Sequence, residues 1–216
     1  MKTKIIYLVN IFTIVAVIVY VTHLKNQPPG INTITKTVVK TVEVMPKGVL
    51  STVVLDDLKN DLTSKYPALS INQKAEILTA ILKSSKEFSI SPLVIYALIA
   101  TESSFRFYAI SPTRTVTGSD GKDHKDNALG LMSVMWTIHN KALIAGNIIT
   151  RRSELRQIAS NIRAGTFILA KMIKQYKGLN NGLKHYFGVS KYAKVYLRKI
   201  QRKVGSLAWS KVTKKK

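Results

Sequence analysis

Ser91-Pro92-Leu93-Val94-Ile95-Tyr96-Ala97-Leu98-Ile99-Ala100-Thr101-Glu102 is the stretch from which the fold of this chain can be read. A serine can cap free helix amides and a proline fits the first turn, so a helix is expected to start here. From Leu93 to Ala100 no residue is charged and most are large. A helix that is apolar on every side is a buried one, so the segment reads as a buried helix. Glu102 follows Leu98 by four residues and Ile95 by seven, which puts all three on one side of that helix. A carboxyl among apolar neighbours is harder to ionise, and a raised carboxyl pKa is what general acid catalysis near neutral pH requires. Position alone fits equally well a helix-end glutamate that reaches out to water.

Further helical patterns lie on both sides of this segment. Residues 70–88 show an apolar stripe of Ala75, Ile77, Leu78, Ile81 and Leu82, and residues 49–65 show an earlier helix that Pro67 ends. The stretch from Ser111 to Asn127 is polar and irregular, with Gly118, Asp120, Gly121, Asp123 and Asp126. Helical spacing returns from Leu155 to Tyr176, and Gly178-Leu179-Asn180-Asn181-Gly182 reads as a turn. A last helix is expected from about Lys191 to Val204, with Tyr192, Val195, Tyr196, Ile200 and Val204 on its packed side.

Composition narrows the possible partners. The chain holds 34 Lys and Arg against 11 Asp and Glu, a formal net charge of +23, and no acidic residue follows Glu154. That field favours a polyanion, whether nucleic acid, anionic lipid or an acidic wall polymer, met through the basic C-terminal third. The lack of cysteine excludes disulfides and thiolate metal sites. His124, His139 and His185 are not at metal-ligand spacing, and no Glu closes a calcium loop after Asp120, Asp123 and Asp126, so no metal or other cofactor is expected. Trp136 is expected to pack. Residues 5–24 are almost wholly apolar and about as long as a bilayer-spanning helix needs to be. No small-residue cleavage site ends the run, so it reads as an uncleaved anchor. Lysines flank both of its ends, and charge gives no orientation.

Around Glu102 the sequence carries Glu102-Ser103-Ser104-Phe105, Ala109-Ile110-Ser111, Gly130-Leu131-Met132, Asn161-Ile162-Arg163-Ala164-Gly165 and Tyr186, in that order. This series resembles the soluble lytic transglycosylase (SLT) family, whose fold is related to goose-type lysozyme and whose pattern is E-S-x-F, A-x-S, G-L-M-Q, N-I-x-A-G and A-Y-N. The resemblance, which covers approximately Ile90 to Val204, implies a mainly α, lysozyme-like domain, and the apolar run puts it behind an N-terminal transmembrane helix. It implies that Glu102 is the catalytic acid and base, that Ser111 orients substrate, and that Gly130, Leu131, Met132 and Ser133 lie along the glycan. Asn161 to Gly165 would be a structural helix, with Gly165 allowing close backbone approach, and Tyr186 would stand near the catalytic carboxylate. Two departures touch substrate positioning: Ser133 stands where the pattern has Gln, and His185 and Phe187 flank the tyrosine of A-Y-N. The stretch between Ser111 and Gly130 is also longer than in the simplest members, and could form a flap.

The domain order expected is an anchor at 1–26, a linker or stalk at 27–48, a helical lead-in at 49–89, the catalytic domain at 90–204 and a basic tail at 205–216. Two-carboxylate glycosidases need a second acid, which the motif cluster lacks. The resemblance therefore implies a transglycosylase that cleaves peptidoglycan strands between N-acetylmuramic acid and N-acetylglucosamine and leaves a 1,6-anhydro end. The expected setting is a single-pass membrane protein facing the cell wall or periplasm, opening the wall for phage entry or DNA transfer. Two other readings stay open. One is a lysozyme-like hydrolase in which Asp120, Asp123 or Asp126 activates water, and the other is a non-enzymatic basic assembly protein that binds DNA.

Overall fold

The computed structural model describes residues 50–188 and 190–213, so the anchor expected at 5–24 and the stalk at 27–48 lie outside the described residues. Among the described residues no helix is long and apolar enough to cross a membrane. The elements run α1 (Leu50–Lys65), α2 (Ile71–Phe88), α3 (Pro92–Glu102), β1 (Arg114–Thr117), β2 (Asp123–Asp126), β3 (Ala128–Leu129), β4 (Val134–Met135), α4 (Trp136–Ala145), a 3-10 turn (Arg152–Arg156), α5 (Ile158–Gln175), α6 (Leu179–Phe187) and α7 (Ala193–Thr213). The described chain is therefore mainly α.

Helix α3 is the centre. Every residue from Leu93 to Ile99 is buried, and α1, α2 and α7 close around it. Fully burying one large apolar side chain contributes roughly 1.5–3 kcal/mol, so α3 holds much of the packing energy. Pro92 takes the first turn, but the hydroxyl of Ser91 makes no capping bond. The Ser91 carbonyl instead accepts from the Val94 and Ile95 amides, and the fixed φ of proline does the rest. A true side-chain cap sits one helix earlier. Ser70 Oγ accepts from the Gln73 amide while Gln73 Oε1 accepts from the Ser70 amide, a reciprocal capping box that starts α2.

The lead-in belongs to the same core. Leu58 and Leu62 of α1 and Ile77 and Ile81 of α2 are fully buried in one cluster with α3. A charged knot ties α1 to α3 and α7: Tyr96 Oη donates to Asp61 at 2.8 Å and Lys203 Nζ at 3.1 Å, with Lys65 on the other oxygen. Burial pushes the Asp61 carboxyl up, yet the hydrogen bonds from Lys65, Tyr96 and Lys203 outweigh it and hold the group below its usual range.

Several local expectations need correction. In α2 the packed side is Ile77, Leu78, Ala80, Ile81 and Ser84, with Ala75 exposed and Leu82 half-buried. The stretch after Ser111 contains a hairpin, with β1 antiparallel to β2 and Val116 opposite His124. Leu155 lies in the 3-10 turn, and α5 starts only at Ile158. The supposed turn at 178–182 is mostly α6. Only Gly178, at φ 131°, turns the chain. Gly182 lies inside that helix, and a β-carbon there would lie 2.8 Å from the Ile173 backbone nitrogen, so glycine lets α6 press against α5. The last helix, expected to end at about Val204, runs on as α7 to Thr213 with a buried side that reaches Leu207, while Tyr192 and Val195 are exposed.

A buried amide fixes the middle of the domain. Asn161 Nδ2 donates to the Leu129 and Leu155 carbonyls at 2.9 Å each, and its Oδ1 accepts from the Met132 amide at 2.8 Å. Replacing it by leucine strands three backbone groups in the core. Asn161→Leu should cost about 3 kcal/mol and lower Tm by roughly 6–12 °C. Thermal melts followed by circular dichroism test this, and an unchanged Tm would refute the clamp.

Candidate active site

Glu102 is the last residue of α3, where the buried helix first comes near solvent. The chain then turns through Ser104 at φ 51° and Phe105 at φ 62°. Left-handed backbone at a residue other than glycine costs roughly 1–2 kcal/mol, so two in a row need an anchor. Phe105 supplies it: the ring is 1% exposed and its centroid lies 4.5 Å from that of Tyr66 and 4.7 Å from that of Tyr96. Ser103 Oγ donates to the Ile99 carbonyl, and the Arg106 amide to the Ser103 carbonyl, which closes the turn. The E-S-x-F spacing thus ties the orientation of the carboxyl to the core.

The Gly130-Leu131-Met132-Ser133 segment reaches Glu102 from the other part of the chain. Gly130 holds φ 74°, and a β-carbon there would run into the Asn161 amide. Ser133, at φ 49°, turns its hydroxyl onto the Glu102 carboxylate. Leu131 and Met132 are fully buried, so their side chains face the core, and only the backbone of this segment is left to meet a glycan. Their contribution is to hold the backbone, and Gly165 makes room for it. A β-carbon at Gly165 would sit 2.5 Å from Met132 Cβ and 2.9 Å from Tyr186 Oη.

Tyr186 Oη donates to the Met132 carbonyl at 2.7 Å and stands close enough to Glu102 to feel its charge. The tyrosine hydroxyl bonded to the carboxyl is another one: Tyr196 Oη, from the first turn of α7, donates to Glu102 Oε1. The sequence reading placed Tyr196 in a packing stripe and missed this. The available signal was chemical, since a tyrosine on the buried side of a helix needs a partner for its hydroxyl. Ser111 accepts from the Ala128 amide at 2.8 Å and donates to the Pro112 carbonyl at 3.2 Å, so its hydroxyl fastens the hairpin base to β3.

The loop aspartates are held in networks of their own. Asp126 is buried and accepts from the Thr137 and Asn127 amides and from Arg152. Asp120 pairs with His124, and Asp123 accepts from Thr117. His139 is pushed down to about 4 by burial and by Lys171, and His185 stacks on Tyr176. Among the described residues no three His, Asp or Glu side chains gather as a metal site would require.

The electrostatics of Glu102 follow from this geometry. Burial raises its pKa above 4.5, and the hydrogen bonds from Tyr196 and Ser133 oppose the rise without cancelling it. Its place at the carboxyl end of a helix adds to the rise, because the dipole there disfavours an anion. Burial and the neighbouring carboxylate push the hydroxyls of Tyr186 and Tyr196 upward, so both stay protonated donors. The folded protein therefore keeps a proton on Glu102 that the unfolded chain loses at about pH 4.5. Stability falls as pH rises from there through the folded pKa. Glu102→Gln should be more stable than the wild type at pH 7.5, with the gap closing below pH 4.5. Melting curves at both pH values check this, and a gap independent of pH would contradict it.

A family model for the transglycosylase SLT domain matches residues 79–205, more than half of the chain. No curated protein matches the sequence. The match begins within α2, spans α3 with Glu102, the hairpin, the Asn161 clamp and Tyr186, and ends within α7. The chain belongs to the transglycosylase SLT family, and its general function is that of a lytic transglycosylase-like protein acting on peptidoglycan.

Proposed function

We propose that this protein is a peptidoglycan lytic transglycosylase that cleaves the β-1,4 bond between N-acetylmuramic acid and N-acetylglucosamine, with Glu102 as its one acid and base. The observation that carries the reading is the setting of that carboxyl. It is raised by burial, and its hydrogen-bond partners are the hydroxyls of Tyr196 and Ser133. A raised carboxyl pKa keeps on Glu102 the proton that a general acid has to give. Glu102 donates that proton to the glycosidic oxygen as the bond to the muramic anomeric carbon breaks. The substrate's acetamido group stabilises the positive charge that develops there. The ionised Glu102 then takes the proton of the muramic 6-hydroxyl, whose oxygen bonds to the same anomeric carbon. The nucleophile is tethered to the reacting sugar, so no second carboxylate is needed to activate water.

The hydrolase alternative needs a water-activating aspartate, and the candidates are engaged elsewhere, Asp126 most firmly. Digestion of purified sacculi with mass analysis of the products decides between the two. The expected muropeptides end in 1,6-anhydro-N-acetylmuramic acid. Glu102→Gln should lose at least about a hundredfold in rate, as expected for removal of a general acid. Asp120→Asn and Asp123→Asn should keep substantial activity. Reducible muramic ends, or a Glu102→Gln variant near wild-type activity, would overturn the assignment.

The setting follows from the sequence outside the catalytic fold. Residues 5–24 anchor the chain in a membrane, with the SLT domain facing the wall or periplasm, where it opens the wall locally for phage entry or DNA transfer. On α7 the exposed Lys194, Arg198, Lys199 and Arg202 lie opposite the packed side and support contact with an anionic wall polymer, lipid or nucleic acid. The full-length chain should sediment with membranes at its uncleaved mass and stay there in high salt, because an apolar span and not the basic face holds it. A shortened form in the soluble fraction, or release by salt alone, would contradict the anchor.

A further inference from the structure

Phe187 stands where the family pattern has asparagine, and its surroundings make the change chemically specific. It is the last residue of α6, and Gly188, at φ 105°, turns the chain away immediately after it. One face of the ring stacks on Tyr196, with centroids 4.5 Å apart and 24° between the planes. Tyr196 in turn holds the Glu102 carboxyl. The residue is nonetheless 42% exposed, so the ring presents apolar surface to solvent two side chains away from the reacting group. Tyr192, one helical turn before Tyr196, is 59% exposed. A lone exposed aromatic needs no explanation, but here two neighbour the one tyrosine that holds a buried carboxyl, Phe187 by stacking and Tyr192 by helical spacing.

We propose that Phe187, with Tyr192 at its edge, is a stacking platform for a pyranose ring of the glycan strand. This rests on the reading of Glu102 as the acid acting on a glycan. A pyranose has a face of axial C–H groups that is apolar and flat enough to cover an aromatic ring, and covering it removes apolar surface of both partners from water. Asparagine at the same position would offer directional hydrogen bonds to sugar hydroxyls or amides. Phenylalanine offers area without direction, so it fixes the plane of the sugar and tolerates variation in its substituents. The platform touches substrate before and during the reaction alike, so its contribution is uniform binding, seen in KM and not in kcat.

The test is steady-state cleavage of soluble glycan strands by the full-length protein in detergent, comparing wild type with Phe187→Asn, Phe187→Trp and Tyr192→Ala. Phe187→Asn should raise KM about tenfold with kcat within a factor of two and an unmoved alkaline limb of the pH profile. Phe187→Trp, which keeps the ring surface, should hold KM at or below the wild-type value, and Tyr192→Ala should raise it a fewfold. Pull-down on sacculi in a Glu102→Gln background should show the same order of binding. If the asparagine variant fails to fold, the tryptophan and Tyr192 variants decide alone, and a raised KM for Phe187→Trp or an unchanged one for Tyr192→Ala overturns the platform. A fall in kcat with a shifted alkaline limb and unchanged KM would make Phe187 a positioning residue for Tyr196 and also overturn it. A wild type that neither cleaves nor binds the strands would instead bring down the reading of Glu102, whereas normal cleavage with equal binding by all variants removes the platform alone.

Discussion

A helix with no polar face has to be enclosed, and the enclosure of α3 governs the rest of this domain. Leu93 to Ile99 leave no side that water could cover, so α1, α2 and α7 are needed at once. The lead-in helices are therefore part of the fold, since without Leu58, Leu62, Ile77 and Ile81 one flank of α3 would be bare. The enclosure ends at Glu102. A carboxyl at that point is close enough to the core to lose much of its solvation and close enough to the surface to be reached.

Enclosing α3 with apolar residues alone would not fix where the other strand of the site lies. That task falls to buried polar groups. Asn161 holds the carbonyls of Leu129 and Leu155 and the amide of Met132, and Tyr186 holds the Met132 carbonyl. Each bond contributes on the order of 1 kcal/mol, but the cost of leaving any partner unpaired is larger, so the network selects one register for residues 129–133. Gly130 and Gly165 are the steric conditions for it, one for its φ and contact with Asn161, the other for the approach of Met132 and Tyr186. The scattered motif pieces are thus one object: a clamp that brings Ser133 to Glu102.

This explains what could be read in the sequence and what could not. The buried α3, its proline start and the place of Glu102 follow from local chemistry, because periodicity and charge report burial directly. The hairpin at 114–126 did not show, since its strands are short and polar and owe their order to Asp126 bound to Thr137 and Arg152 far along the chain. Nor did α6, because its Asn-Asn-Gly start mimics a turn while the glycine is there for contact with Ile173. The burial of the Leu131 and Met132 side chains was not legible either, because a motif match names positions and not the direction in which their side chains point. Tyr196 was read as packing, correctly for its ring and incompletely for its hydroxyl.

The role of α7 joins these points. Its packed side carries Tyr196 to Glu102 and Lys203 to Asp61, so the same helix supplies the carboxyl's hydrogen bond and pins the far end of the α1–α3 contact. Its other side is cationic. Tyr186 and Tyr196 are pushed upward in pKa and stay neutral, so of these three groups Glu102 is the one that changes charge. A site with one titrating group and two fixed donors can give a proton and take one back at nearly the same place, provided the attacking hydroxyl belongs to the substrate. A water molecule would need a base of its own on the far side of the sugar, and the loop aspartates are held by the hairpin instead. Among the described groups at this site Glu102 is the one placed both to give a proton and to take one back, which is the placement the proposed intramolecular attack requires.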